Sequence, residues 1–354
     1  MPRPSDTTDL AALVDRFGSR RVAVVGDIVA DEFIYGRVAR LSREAPVLIL
    51  EYDSTVIVPG GAGNAANNVA ALGGRAIAVG TVGRDDTGRR VLAALHPRVS
   101  RAHIARVAGV RTPTKTRILA GGVHSAKQQV VRIDRDTGHR VGAERRAAFR
   151  EQALSACRRA DAVLLSDYGT GLVTPALAQA LKRACRDRRV PVLVDSRYGL
   201  GRYRSLTACT PNQSEAEEVL GVTIGDDVRA LERAGRELLE RTRMAGVLVT
   251  RGSRGMALFE RGRPTVHVPI FGTDEIADVT GAGDTVIATM TLALAAGASL
   301  EAAARLANHA GGLVVMKRGT ATVSAGELRE ALVGRGAPPT SAPRPTARGR
   351  RTTR

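Results

Sequence analysis

From about residue 145 onward, short apolar, β-branched runs alternate with longer helical stretches, and this alternation constrains the fold more than any other feature. The series reads as a helix to 159, a strand at 162–167, a helix at 174–188 and a strand at 191–195. Strand, turn and helix follow at 206–220, then a charged helix at 226–243, strands at 246–250 and 255–260, and helices at about 281–296 and 300–316. Parallel strands cannot be joined by tight hairpins; they need a long crossover, usually a helix lying on one face of the sheet. The pattern therefore predicts an α/β fold, a three-layer sandwich with a mostly parallel central sheet. After a polar leader over 1–20, the N-terminal part begins alike, with strands at 21–27 (RVAVVGD) and 76–82 and a helix to about Leu95. A strand at 46–52 and paired strands at 112–120 and 128–134 interrupt the alternation. They predict a small β lid from about 28–58 and 103–135 on one main domain spanning 21–333. No internal repeat is evident. From Gly334 the segment GRGAPPTSAPRPTARGRRTTR has no large apolar residues and is expected to be a disordered basic tail over 334–354.

A net charge of +18, from 53 Lys and Arg against 35 Asp and Glu, raises nucleic acid as a partner. Only four of those cations are Lys (Lys115, Lys127, Lys182 and Lys317), a skew that, with abundant Ala and Gly, fits codon bias in a GC-rich genome. The Arg are scattered, and aromatics at 3% are too few for a base-stacking platform, so no nucleic-acid partner is expected. No signal peptide, and no apolar run long enough to span a membrane, can be read. Cys157, Cys185 and Cys209 form no CxxC pair, and the six His show no ligand spacing. Both facts fit a reducing, cytoplasmic setting and argue against a protein metal cage.

The strongest chemical signal is Asp278-Val279-Thr280-Gly281-Ala282-Gly283-Asp284-Thr285, directly before an apolar helix. Small residues at a helix start let backbone N–H groups converge, and the positive end of the helix dipole adds to them. Gly281, Ala282 and Gly283 thus form a candidate anion hole. Asp284, on the first turn, is a candidate catalytic base for a hydroxyl beside that hole. Taken alone, the segment reads equally well as a Gly-rich loop with an Asp stabilising a helix N-terminus. A second glycine turn, Gly60-Gly61-Ala62-Gly63-Asn64, runs into the Ala-rich helix AANNVAALGG. Gly60 and Gly61 would let backbone approach a ligand, and Asn64 offers both a donor and an acceptor; the plainer reading is a tight turn capping the helix.

Together these two segments resemble the two signatures of the PfkB (ribokinase-like) carbohydrate kinases, over about residues 20–332. Within that family the chain is most similar to the D-glycero-β-D-manno-heptose-7-phosphate kinases. The likeness rests on VVGDIVADEFIYG, LSREAPV, TKTRILA, QQVVRID, LLSDYGTG, TPNQSEAEEVLG and the run from DVTGAGDTVIATM to MKRGTATVS. The resemblance implies an ATP- and Mg²⁺-dependent transfer to an anomeric hydroxyl, giving a 1,7-bisphosphate. Another sugar, sugar phosphate or nucleoside is the alternative acceptor. Some such kinases are fused to a nucleotidyltransferase; no H-x-G-H-like segment occurs here, so the kinase step alone is expected.

The same resemblance assigns roles. Asp27 and Asp31 would accept hydrogen bonds from sugar hydroxyls. Lys115, Arg117 and Arg132, from the lid, would grip the sugar's own phosphate. Asn212 and Glu215, as N-x-x-E, would hold Mg²⁺ through water near the phosphates, although the pair also reads as a capping box. Gly252 and Gly255 would shape the nucleotide floor, with Asn308 beside adenine. Two departures stand out: Thr170 follows S-D-Y-G where Lys is usual, and Asp195-Ser196-Arg197-Tyr198-Gly199 replaces D-P-K-G. Exposed lid edges would favour a homodimer.

Overall fold

The computed structural model describes residues 4–121, 127–135, 141–272, 278–317 and 319–334. Its first half runs α1 (Pro4–Asp15), β1 (Arg21–Gly26), β2 (Ile28–Leu41), β3 (Leu48–Gly61), α2 (Ala62–Ala71), β4 (Arg75–Gly83), α3 (Asp86–Ala93), β5 (Val99–Val107), β6 (Thr114–Gly121) and β7 (Gln128–Arg135). Regular alternation follows: α4 (Ala143–Cys157), β8 (Ala162–Asp167), α5 (Pro175–Cys185), β9 (Val192–Ser196), β10 (Ala208–Cys209), α6 (Gln213–Leu220), α7 (Val228–Thr242) and β11 (Gly246–Thr250). The hairpin strands β12 (Met256–Glu260) and β13 (Val266–Val268) then lead to α8 (Ala282–Ala295), α9 (Leu300–Val315) and α10 (Ala325–Leu332).

Among the described residues, nine strands form one sheet in the order β13-β12-β11-β10-β9-β8-β1-β4-β5, parallel except that β12 runs antiparallel to both its neighbours. Because both faces are covered, the central strands are mostly apolar and alternate chiefly in which layer they serve. Val22 and Val24 of β1 join the core under α2, α8 and α9, whereas Ala23 and Val25 join the core under α4, α5 and α7. Helix α8 is buried from Asp284 through Ala293, which is why its sequence is apolar all round rather than amphipathic. No helix among the described residues is long and apolar enough to cross a membrane.

A second sheet, ordered β3-β2-β6-β7, stands beside the first. Asp27 alone separates β1 from β2, so the chain leaves the large sheet and enters the small one within a single residue. Away from the junction this sheet is exposed, with Leu41, Tyr52, Val131 and Ile133 among its apolar residues open to solvent.

Several expectations need adjustment. Residues 103–107, expected in the lid, belong to β5, which pairs parallel with β4 at the edge of the large sheet. The polar leader contains α1, whose Leu10, Leu13 and Val14 are buried in the core shared with Leu328 and Leu332 of α10. Helix α10 was not expected, although Ser324 and Glu327 form a complete capping box at its start. Gly60 and Gly61 end a strand, paired with Val29 and Ile28, rather than forming a free turn. The expected tail lies, from residue 335 on, outside the described residues.

Candidate active site

The direction of strand addition reverses between β1 and β8: the chain builds β1, β4 and β5 outward, then resumes on the other side of β1. Crossovers leaving such a point diverge and open a crevice at the carboxyl ends of the strands, where ligands of open α/β sheets bind. Asp27 follows β1, Tyr168 follows β8, Asp195 lies near the end of β9, and Asn212 follows β10 and bridges to Thr250 at the end of β11. The candidate residues therefore converge for a topological reason.

Helix α8 points its N-terminus into this crevice. Gly281 precedes it with φ +79°, a left-handed conformation that favours glycine, and a Cβ there would lie 2.6 Å from Asn64 Nδ2. Asp278 fixes the approach, accepting from Thr280 N (2.8 Å) and Gly319 N (3.1 Å). The first N–H groups of a helix have no intrahelical acceptor, so those of Gly283 and Asp284 remain available to an anion. Asp284 is 5% exposed. Its Oδ2 accepts from Asn64 Nδ2 at 2.8 Å and its Oδ1 from the Tyr168 hydroxyl at 3.1 Å. Asn64 is held in turn: Asn68 Nδ2 donates to Asn64 Oδ1 (3.1 Å), and Thr285 Oγ1 donates to Asn68 Oδ1 (2.9 Å). Burial pushes the Asp284 carboxyl up to about 7, against the two donors and Lys115, which favour the charged form. A carboxylate poised near neutrality is suited to general-base work.

Tyr168 did not emerge from the sequence. It sits in a segment that Asp27 organises: Asp27 Oδ2 accepts from Tyr168 N (2.8 Å) and Thr170 N (3.3 Å), and Oδ1 accepts from the Thr170 hydroxyl. Both Asp27 oxygens are thus engaged within the protein, which commits this carboxylate to holding the Tyr168–Thr170 segment. Burial raises the Asp27 carboxyl to about 6. Thr170 supplies a short hydroxyl that locks this loop to β1. Gly61, at φ +55°, passes close to Asp27 and the Tyr168 ring, where a Cβ would meet Asp27 O at 2.5 Å and the ring at 3.3 Å.

The small sheet forms the opposite wall. A Cβ at Gly60 would collide with the Asp31 carboxylate, so this glycine makes room for a side chain rather than only for a ligand. Asp31 is largely buried and accepts from Arg117 at 2.5 Å. Arg132 is engaged by Asp134 through two hydrogen bonds of 2.7 Å. Lys115 lies over the Tyr168 ring, 4.6 Å from its centroid, and among the described residues no carboxylate comes within ion-pair distance of it. Burial and the neighbouring Arg197 both push its ammonium below the usual lysine range.

On the far side, Asn212 and Glu215 form a full capping box at the start of α6, with Asn212 Oδ1 accepting from Glu215 N (2.8 Å) and Glu215 Oε2 from Asn212 N (2.9 Å). Asp195, also missed from sequence, lies near Glu215 and Asp284; burial and those two carboxyls push its own well up. Gly252 and Gly255 have φ of +57° and +73°, and a Cβ at Gly255 would strike Val268 O. Both shape the β11–β12 turn. Asn308 is buried and donates to Pro269 O at 2.8 Å, which ties α9 to the strand-13 edge.

A parallel sheet with a buried carboxylate at a helix N-terminus on its switch point, beside a small charged sheet, is an arrangement suited to phosphoryl transfer. The chain belongs to the pfkB family of carbohydrate kinases, whose model matches residues 19–325. It is 44% identical over 323 residues to a bifunctional protein HldE from a Caulobacter species, and 38% identical over 322 residues to the HldE of Geobacter sulfurreducens. Each alignment covers 90% of this chain and 64% of the relative, so the chain spans about two thirds of the length of these proteins. Among solved structures, an Arabidopsis thaliana ribokinase complexed with ribose and ATP matches with TM-score 0.69 at 21% identity, covering 88% of this chain and 98% of that one. Phosphofructokinase-2 from Escherichia coli matches with TM-score 0.69 at 20% identity, covering 89% and 98%. These structures share the ribokinase-like fold.

Proposed function

We propose that the chain transfers the γ-phosphoryl group of ATP to the anomeric hydroxyl of a heptose 7-phosphate, giving the 1,7-bisphosphate. The observation that carries this reading is the pairing of two walls: a carboxylate on α8 that burial raises to about 7, and a cation, Lys115, left without a carboxylate partner among the described residues on the facing sheet. A phosphorylated acceptor satisfies both. Similarity to the HldE proteins supports a heptose phosphate over other sugar phosphates.

Asp284 takes the proton of the acceptor hydroxyl as that oxygen bonds to the γ-phosphorus and the bond to the β-bridging oxygen breaks, releasing ADP. The N–H groups at the start of α8, across Gly281, Ala282 and Gly283, face the charge on the moving phosphoryl group. Lys115 holds the remote phosphate, with Arg117 and Arg132 in reach once they exchange their carboxylate partners. Gly252, Gly255 and Asn308 shape the nucleotide side.

Among the described residues no three carboxylate, His or Cys side chains close around a metal. Asp195 and Glu215, whose carboxyls are both raised by burial and lie near one another, fit instead an ion that keeps most of its waters. Magnesium held there through water, with Asn212 alongside, would supply positive charge to the nucleotide phosphates. The exposed apolar residues of the small sheet, Leu41, Tyr52, Val131 and Ile133, suit pairing with a second copy, making a homodimer.

The test is direct: ATP and heptose 7-phosphate are incubated with the protein, and the product is read by phosphorus NMR. A new anomeric phosphate coupled to H-1 is expected. Phosphorylation at any other hydroxyl, or turnover only with unphosphorylated sugars, would overturn the assignment.

A further inference from the structure

Both oxygens of the base already accept one hydrogen bond in the free protein, so an acceptor hydroxyl that approaches along either bond competes with its donor. Asn64 is the harder to move. It is 2% exposed, lies on α2, and is locked through Asn68 to Thr285 on α8, two helices packed in the same core. Tyr168 lies at the open side of the crevice. With Lys115, Thr170 and Tyr198 it lines the cleft between the two sheets, and its position depends on backbone bonds to Asp27 rather than on helix packing. Its hydroxyl donates to Oδ1 of Asp284, the oxygen that Asn64 leaves alone.

From this we infer that Tyr168 is the positioning residue of the base: its hydroxyl stands where the acceptor hydroxyl will bind, orients Asp284 in the free enzyme, and yields Oδ1 when the sugar arrives. The inference rests on the reading of Asp284 as base. Tyr168 keeps its proton throughout, because burial and the carboxyls of Asp284, Asp195 and Asp31 hold the phenol well above its ordinary range. It acts as a donor only. The charged groups that bear on Asp284 are Asp31 from β2, which raises its carboxyl, Lys115 from β6, which lowers it, and Asp195 from β9, coupled to it by like charge. Helix α2 contributes only the neutral Asn64 and Asn68.

Tyr168→Phe keeps the ring, its packing on Gly61 and its contact with Lys115, and removes one donor to the carboxylate. The pH profile of kcat/KM reports the free enzyme and that of kcat the substrate complex. The wild-type acidic limb of kcat/KM should lie near 7. In Tyr168→Phe that limb should move up by about one to two pH units, the size of a hydrogen bond to a charged group. The kcat limb should stay in place, because the tyrosine has already left Oδ1 in the complex. A kcat/KM limb that does not move overturns the proposal, and equal movement of both limbs overturns the exchange of donors. Asp284→Asn, measured alongside, separates the two readings. If Asp284→Asn is inactive while Tyr168→Phe has the wild-type profile, only the role of Tyr168 fails. If Asp284→Asn remains active, the base assignment itself fails and this inference falls with it.

Discussion

The two walls of the crevice are built on opposite physical plans. The wall carried by α8 is buried and nearly neutral: an uncharged chain of Asn and Thr side chains leads to one carboxylate. The wall carried by the small sheet is charged and partly exposed, with Arg117 and Arg132 each tied to a carboxylate and Lys115 unpaired among the described residues. Hydrogen bonds and charges that change strength during reaction act on kcat, whereas contacts with a remote group act equally in ground and transition states and appear in KM. One wall is thus suited to chemistry and the other to recognition.

The largest break in that comparison comes from the first wall. Asp284→Asn keeps size and hydrogen-bonding ability but cannot take a proton, and kcat should fall by about 10²–10⁴-fold with the fold intact by circular dichroism. A variant retaining half of wild-type kcat would end the division between the walls. A smaller effect distinguishes the two arginines of the second wall. Arg117→Met leaves Asp31 buried without its partner, and thermal or urea unfolding should register a loss on the order of 2–3 kcal/mol, below the ~3–5 kcal/mol of a fully buried pair. Arg132→Met removes a more exposed pair with Asp134, at 36% and 48% side-chain exposure, and should cost less than about 1 kcal/mol. Equal losses for the two variants would mean that burial does not set their difference.

The walls also differed in how far the sequence announced them. Asp284 and the glycines before it stand in one contiguous segment, and the helix that follows is apolar over its whole length; local pattern suffices there. Tyr168 reaches Asp284 across 116 positions, and only because α8 packs on β8. No local signal marks such a residue, and the same holds for Asp195 at the end of β9. The lid was legible as strands but not as a sheet. Residues 99–107 mix polar and apolar residues without strict alternation, and whether they pair with β4 or with β6 is a long-range choice that local pattern does not record. The two terminal helices were a different failure. Ser324 and Glu327 have the spacing of a capping box, and Leu10, Leu13 and Val14 have the spacing of one buried helical stripe, so both signals were present but short. The Asn212–Glu215 pair teaches caution of another kind, since it makes the structural bonds that its plainer reading required, and Asn308 likewise donates to a backbone carbonyl.

The central claim, that the second wall recognises a phosphate remote from the reacting hydroxyl, is tested most directly by acceptor preference in wild type and in Lys115→Met. The quantity is kcat/KM for heptose 7-phosphate divided by that for unphosphorylated heptose. Wild type should strongly prefer the phosphorylated sugar. Loss of one charge-assisted contact should lower the ratio by roughly 10–150-fold, mainly through KM for the sugar phosphate, with KM for ATP nearly unchanged. A wild type that prefers the neutral sugar, or a Lys115→Met ratio equal to that of wild type, would contradict the account.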